Sequence, residues 1–114
     1  MADHITIEEA EGTWTVRAGG AVLGESDRAL VLHEGDLPPV IYFPPEDIAM
    51  AFLDRTDKST HCPYKGDASY YSIVTKSTTL TDAVWTYETP MDAVAAIAGH
   101  LAFMPSSDVA IERI

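Results

Sequence analysis

A chain of 114 residues with 46% hydrophobic side chains can fold around one core and is too short for two domains. Its 18 acidic and 7 basic side chains leave a formal net charge of −11. That field repels nucleic-acid phosphates and anionic membrane surfaces, with no Lys/Arg cluster to overcome it, whereas a small anionic ligand needs only one cation in a cleft.

The opening MADHITIEEAEG carries neither a basic region nor an apolar signal core, and no apolar run reaches bilayer length. The expected location is therefore cytoplasmic. Over residues 13–18, Trp14, Val16 and Ala18 alternate with Thr13, Thr15 and Arg17, the period-two pattern of a strand. Gly19-Gly20 suits a two-residue hairpin turn, and residues 21–26 form the return strand. Residues 29–34 and 40–43 supply two more strands, the latter between Pro38-Pro39 and Pro44-Pro45. The second proline pair predicts a short helix, with Pro45 at its first position, Glu46 and Asp47 in its first turn, and Ile48, Ala49, Phe52 and Leu53 as its apolar stripe. It ends by Asp54, before a polar loop over residues 54–59.

Residues 68–76 and 82–88 read as strands joined through a Thr-rich segment, residues 77–81. Thr89, Pro90 and Asp92 give N-cap, first position and a capping-box-like partner for a second helix. Val94, Ile97, Ala98 and Leu101 face one way, and Gly99 lies near its end. Residues 101–104 and 109–114 close the chain as a strand pair. About eight short strands with two short helices imply a mainly β member of the α+β class, an antiparallel sheet or partly closed barrel.

The stretch STHCPYKGDASYY, residues 59–71, holds the one cysteine, so neither an internal disulfide nor a multi-cysteine zinc site is available. His4, His33, His61 and His100 show no H-x-x-x-H spacing, and no metal ligand set is read from them. Pro63 and Gly66 fit a turn that puts Tyr64 and Lys65 at an exposed tip. Strand alternation points His61 and Cys62 to opposite faces, against a shared metal ion or a Cys–His pair. Cys62 is a candidate nucleophile if Lys65 or a histidine stabilises its thiolate; otherwise it is a small buried residue beneath the turn. Lys65 is either a solvated cation or a contact for phosphate or carboxylate. Tyr70 and Tyr71 face opposite sides, while Trp85 and Tyr87 share one. With Tyr42 these are packing aromatics unless polar groups converge on them. Glu34-Gly35-Asp36 has a carboxylate spacing that could hold Mg²⁺, although an acidic surface turn explains it more simply.

The segments ALVLHE…PPVIYFPPEDI, THCPYKGDASYYSI, AVWTYETPMDAVAAIAGHLAF and VAIERI, in this order, resemble the domain-of-unknown-function 427 family of small, mainly bacterial proteins. The T-x-C-P-Y-K-G core, Thr60 to Gly66, is the most specific part. The resemblance runs from about Thr13 to Ile111 and implies one compact, strand-rich domain over residues 1–114. It implies characteristic positions at Arg17, Glu34, Tyr42, Thr60, Cys62, Tyr64, Lys65, Gly66, Tyr70, Trp85 and Tyr87. A nucleotidyltransferase-like label sometimes given to the family would require a Gly-Ser pair at a helix start and a following Asp-x-Asp for two metal ions. The nearest segments, GES at residues 24–26 and EGD at residues 34–36, depart from that pattern.

The leading expectation is a small-molecule-binding domain whose polar-aromatic pocket lies beside the CPYKG turn. Arg17, Tyr42, Tyr64, Tyr70 and Tyr87 would line it, and Lys65 or Arg17 would neutralise an anionic group. If it is an enzyme, Glu34 would be acceptor or general base and Cys62 the nucleophile, with Lys65 beside them. The alternative from another class is a self-associating interaction module built on a sheet edge or Tyr64; the third is a metal-dependent nucleotidyltransferase. No cofactor follows from the residues.

Overall fold

In the computed structural model, which describes residues 4–114, the first third of the chain forms β1 (Ile5–Glu9), β2 (Trp14–Ala18), β3 (Ala21–Ser26), β4 (Leu30–Glu34) and β5 (Val40–Tyr42). The rest supplies β6 (Leu53–Cys62), β7 (Gly66–Val74), β8 (Thr79–Thr86), β9 (Leu101–Phe103) and β10 (Val109–Arg113). Among the described residues no helix is long and apolar enough to cross a membrane.

Every ladder is antiparallel, and the strands make three sheets, β1-β4-β5, β10-β2-β3 and β6-β7-β8-β9, instead of a partly closed barrel. Phe43 and Leu101 exchange both backbone hydrogen bonds at 2.8 Å, which ties β5 to β9 and joins the first and third sheets into one layer. One face of this layer packs on the β10-β2-β3 sheet. Val16, Ala18, Leu23 and Val109 meet Phe43, Ile73, Val84, Leu101 and Phe103 there. Phe43 is fully buried and stands edge-on to Phe103, with ring centroids 5.8 Å apart; its burial contributes about 1.5–3 kcal/mol.

The opposite face carries a smaller cluster of Leu32, Tyr42, Ala68, Tyr87, Val94, Ile97 and Ala102. Registry explains its membership: Leu32 pairs with Ile7 and Val40, and Trp85 with Tyr70 and Ala102, and partners across a ladder share a face. Val94 and Ile97 cover only part of this face, and the uncovered part is the candidate site.

Two strands, both helices and the closing strand pair differ from the sequence expectation: β9 pairs with β8 and β10 with β2, in different sheets, so the last two strands are not partners. β1 precedes the first expected strand, and β6 replaces the expected polar loop. Along β6 only Leu53 is buried, so the strand has no apolar period; it is an edge strand with a register shift between Arg55 and Ser59. The first expected helix is two 3-10 turns, Pro45–Asp47 and Met50–Phe52, separated by an extended Ile48 that bridges to Gly24. The second is a 3-10 segment, Asp92–Ile97, kinked at Val94, whose N-cap is Met91 with no side-chain cap bond, in place of Thr89. Segments this short cannot repay helix nucleation, and sheet pairing and core contact set their backbone instead.

The Gly24–Ile48 bridge gives a stability test. A Cβ at Gly24 would lie 2.5 Å from Ile48 Cδ1 and 2.6 Å from the backbone oxygen of Asp47, which cannot move aside as a side chain can. Gly24→Ala is expected to lower unfolding free energy by about 1–3 kcal/mol in urea titrations, whereas Gly20→Ala, which meets nothing within 4 Å, should change it far less.

Candidate functional site

The site begins with the turn between β6 and β7. Cys62 pairs with Gly66, so Pro63, Tyr64 and Lys65 form a three-residue hairpin loop. Gly66 takes a φ of +112°, a conformation that disfavours any residue with a Cβ. The Lys65 carbonyl accepts a hydrogen bond from the Met91 amide at 3.0 Å, which docks the loop on the segment leading into the 3-10 turn.

These constraints divide the expected loop tip. Tyr64 is 39% exposed and packs edge-on against the His4 ring at 4.6 Å, whereas Lys65 is 9% exposed and folds inward. The Lys65 ammonium donates to Glu34 Oε1 at 2.5 Å, and the other Glu34 oxygen lies 3.5 Å from His4 Nε2. Lys65 is thus a buried, paired cation and not a solvated one. Glu34 does open the expected acidic turn, with the Leu37 amide donating to its carbonyl at 2.9 Å and Asp36 exposed, but its side chain is turned inward to Lys65.

Lys65, Glu34, Tyr42, Tyr70, Trp85 and Tyr87 line one cavity of about 280 Å³, with Leu32, Val40 and Met104 completing its wall. Strand alternation places Glu34 beside Leu32 and Tyr42 beside Val40, and Tyr87, one residue past the end of β8, lines the same cavity as Trp85. Trp85 Nε1 donates to the Tyr42 hydroxyl at 3.3 Å. The Tyr70 hydroxyl is 2.9 Å from Thr60 Oγ1, and Lys58 lies over its ring at 4.7 Å.

The electrostatics hold each group in one protonation state. The Lys65 hydrogen bond holds Glu34 below the usual carboxylate range, despite burial acting the other way and with His4 adding to the effect. Burial works against the Lys65 ammonium, but the Glu34 hydrogen bond and nearby negative charge leave it above the ordinary lysine value. Burial pushes the Tyr42 and Tyr87 hydroxyls up to about 12.

Of the residues expected in a pocket, Glu34, Tyr42, Lys65, Tyr70 and Tyr87 come together. Arg17 does not: it is exposed on β2, in the other sheet, and pairs with Glu112 at 2.5 Å. Tyr64 is outside the lining, beside His4. Cys62 is half-buried and packs against the Tyr42 and Tyr87 cluster without lining the cavity, while His61 is exposed and bonded to Asp67 at 2.7 Å. The carboxylate expected as acceptor or general base, Glu34, is the one paired with Lys65, which holds it below the usual carboxylate range. Among the described residues no group of three or more His, Cys, Asp or Glu side chains is placed to hold a metal ion. Gly24 and Ser26 of the GES segment lie on β3, where Ser26 donates to Asp47 at 2.6 Å.

The pocket also recruits Leu32, Val40 and Met104, which sequence reasoning left out of it, and takes Trp85, one of the aromatics named from the sequence, as a wall; His4 joins only through the Glu34 carboxylate, outside the lining. Two-residue spacing from Glu34, Tyr42 and Tyr87 was the available signal for Leu32, Val40 and Trp85. His4 and Met104 carry no such signal.

The fold and site define a small, mainly β antiparallel domain with a polar-aromatic pocket on one face of its larger layer. Over residues 6–113 the chain matches the family described as domain of unknown function (DUF427), and it belongs to that family. No curated relative matches the sequence.

The ion pair predicts both mutational and pH behaviour. Lys65→Met strands the Glu34 carboxylate and should cost about 2–3 kcal/mol, below the roughly 3–5 of a fully buried pair because water reaches Glu34. The double variant Lys65→Met/Glu34→Gln should recover part of that loss in urea titrations. Glu34, depressed on folding, stabilises the fold above the ordinary glutamate range near ~4.3 and loses that contribution as pH falls through its folded value. Lys65, raised on folding, contributes below the ordinary lysine range and loses this as pH climbs through its folded value. Glu34→Gln should therefore flatten the fall in stability as pH drops below the ordinary glutamate range.

Proposed function

We propose that the protein binds a small molecule in the Lys65 cavity, through hydrogen-bond donors that the fold leaves unused. Convergence of these donors is the observation that carries the reading. Lys65 spends part of its donor capacity on Glu34. The Tyr42 hydroxyl accepts from Trp85, and among the described residues neither it nor the Tyr87 hydroxyl donates to a protein acceptor. All three line one cavity with aromatic and aliphatic walls, the combination found in small-molecule sites.

The complementary group is an oxygen acceptor. Charge favours a neutral one, such as a carbonyl, over an anion. Glu34 already balances Lys65, Arg17 is spent on Glu112 elsewhere, and the chain carries a net charge of −11. Bringing in a further carboxylate or phosphate would add desolvation without an unpaired cation to meet it. Binding, rather than proton transfer, suits groups locked in one ionisation state.

Self-association draws less support. The β6 edge carries Asp54, Arg55, Asp57 and Lys58 and a register shift, devices that oppose edge-to-edge pairing. The nucleotidyltransferase alternative finds neither of its sequence segments at a helix start.

Native mass spectrometry of freshly purified protein tests the reading by looking for a co-purifying small molecule. Tyr87→Phe deletes a donor and preserves shape, so occupancy should drop as affinity falls about three- to tenfold. Arg17→Ala should retain the molecule. Loss of the molecule in Arg17→Ala but not in Tyr87→Phe would sink the proposal. In NMR titrations acetamide should move Tyr87 and Lys65 signals at lower concentration than acetate or phosphate does.

A further inference from the structure

The Lys65 cavity is not a closed chamber. It shares Val40 and Trp85 with a second cavity of about 530 Å³, whose walls include Trp14, Leu37, Ile41, Phe103 and Ile111. The second space follows from strand pairing. The β5–β9 contact is the single bridge at Phe43–Leu101, and antiparallel continuation would set Ile41 opposite Phe103. No ladder joins those two residues, and both line the cavity instead.

Chemically the two spaces differ. The groove is walled by Trp, Leu, Pro, Val, Ile and Phe side chains. Its only side-chain donors are indole N–H groups, and both are already spent: Trp14 Nε1 on the Glu11 carbonyl at 3.0 Å, and Trp85 Nε1 on Tyr42 at 3.3 Å. A polar ligand part would find no side-chain partner there, whereas hydrocarbon would displace water from an apolar wall. At the rims, Leu37 of the groove is 62% exposed and Met104 of the pocket 52% exposed, an apolar margin that gains from being covered. The Trp85–Tyr42 hydrogen bond fixes the indole as the wall between donors and groove.

We propose that the ligand is amphipathic: an uncharged carbonyl head, of the amide, ester or ketone class, held by Lys65, Tyr42 and Tyr87, and a hydrocarbon tail that passes Trp85 into the groove. This rests on the reading of the Lys65 cavity as a small-molecule site and adds the tail and its path. The groove volume lies within the roughly 300–1,000 Å³ of ligand pockets, room enough for a short hydrocarbon chain. Head and tail are recognised by different residues, which makes them separable.

The experiment is an NMR titration of the full chain with acetamide, butanamide and hexanamide, together with tryptophan quenching by 6-bromohexanamide. Affinity should rise about three- to fourfold per added methylene. In Trp14→Phe, where Trp85 is the remaining tryptophan, the terminal bromine should quench Trp85 while unbrominated hexanamide does not. Leu37→Asp, at an exposed rim position, should weaken hexanamide several-fold and leave acetamide unchanged. A flat series that still shifts Tyr87 and Lys65 signals would overturn the tail assignment and leave the pocket reading standing. Failure of all three amides to shift those signals would overturn both. Tighter binding of hexanoate than hexanamide would overturn the uncharged head. A concentration-dependent dimer that protects Leu37 and Ile111 would give the groove to a second copy of the chain, against the proposal.

Discussion

The Lys65–Glu34 ion pair is the constraint on which the candidate site depends. A lysine only 9% exposed is tolerable because a carboxylate meets it at 2.5 Å, and each charge alone would carry an uncompensated desolvation cost. The pair spans a long sequence separation, from the end of β4 to the β6–β7 turn. It therefore needs the Gly66 conformation and the docking of the turn on Met91, and it also fixes the position of both. With Lys65 turned inward, the tyrosines and Trp85 surround a cation whose charge is already matched. The donors remain while the charge is cancelled, so the pocket has directional hydrogen-bonding capacity with little net field.

A second constraint is the economy of β5–β9 pairing. The Phe43–Leu101 bridge joins two sheets and seals the main core, with Phe43 and Phe103 packed edge-on behind it. Because pairing stops there, the layer opens beside Val40 and Trp85. Continued pairing would complete the layer and close the groove. The fold thus trades ladder hydrogen bonds for concave apolar surface next to polar groups, a combination in which ligand sites are commonly found.

Much of this architecture was legible in the sequence, and the illegible parts share a cause. Alternation in the first third, glycine and proline boundaries, and apolar runs located β2, β3, β4, β5, β7, β8, β9 and β10, because these strands bury side chains in a core. β6 lacks that signature, since hydrogen bonding to β7 rather than burial defines it. Proline at a first helical position and an apolar stripe suggested helices, but those cues do not report the backbone demands of a bridge such as Gly24–Ile48. Site residues followed the same division. Glu34, Tyr42, Lys65, Tyr70 and Tyr87 were named from residue type and family resemblance, yet the burial of Lys65 depended on Glu34 and Met91, remote in sequence. Arg17 failed to join them because its partner, Glu112, comes from the neighbouring β10 strand. Residue type identified the candidates; only registry decided which of them could meet.

Registry also bears on whether the pocket transfers protons. A general acid or base works best with a pKa near the ambient pH, so that both forms are accessible during turnover. Every shift in the cavity runs the other way: Glu34 down, Lys65 up, and Tyr42 and Tyr87 up to about 12. At neutral pH these groups are one fixed carboxylate, one fixed ammonium and two fixed hydroxyl donors. Cys62, the remaining candidate for covalent chemistry, packs outside the cavity lining. A site assembled in this way holds its hydrogen-bond pattern constant across the neutral range. Constancy of that kind is what the proposed recognition of a particular acceptor requires.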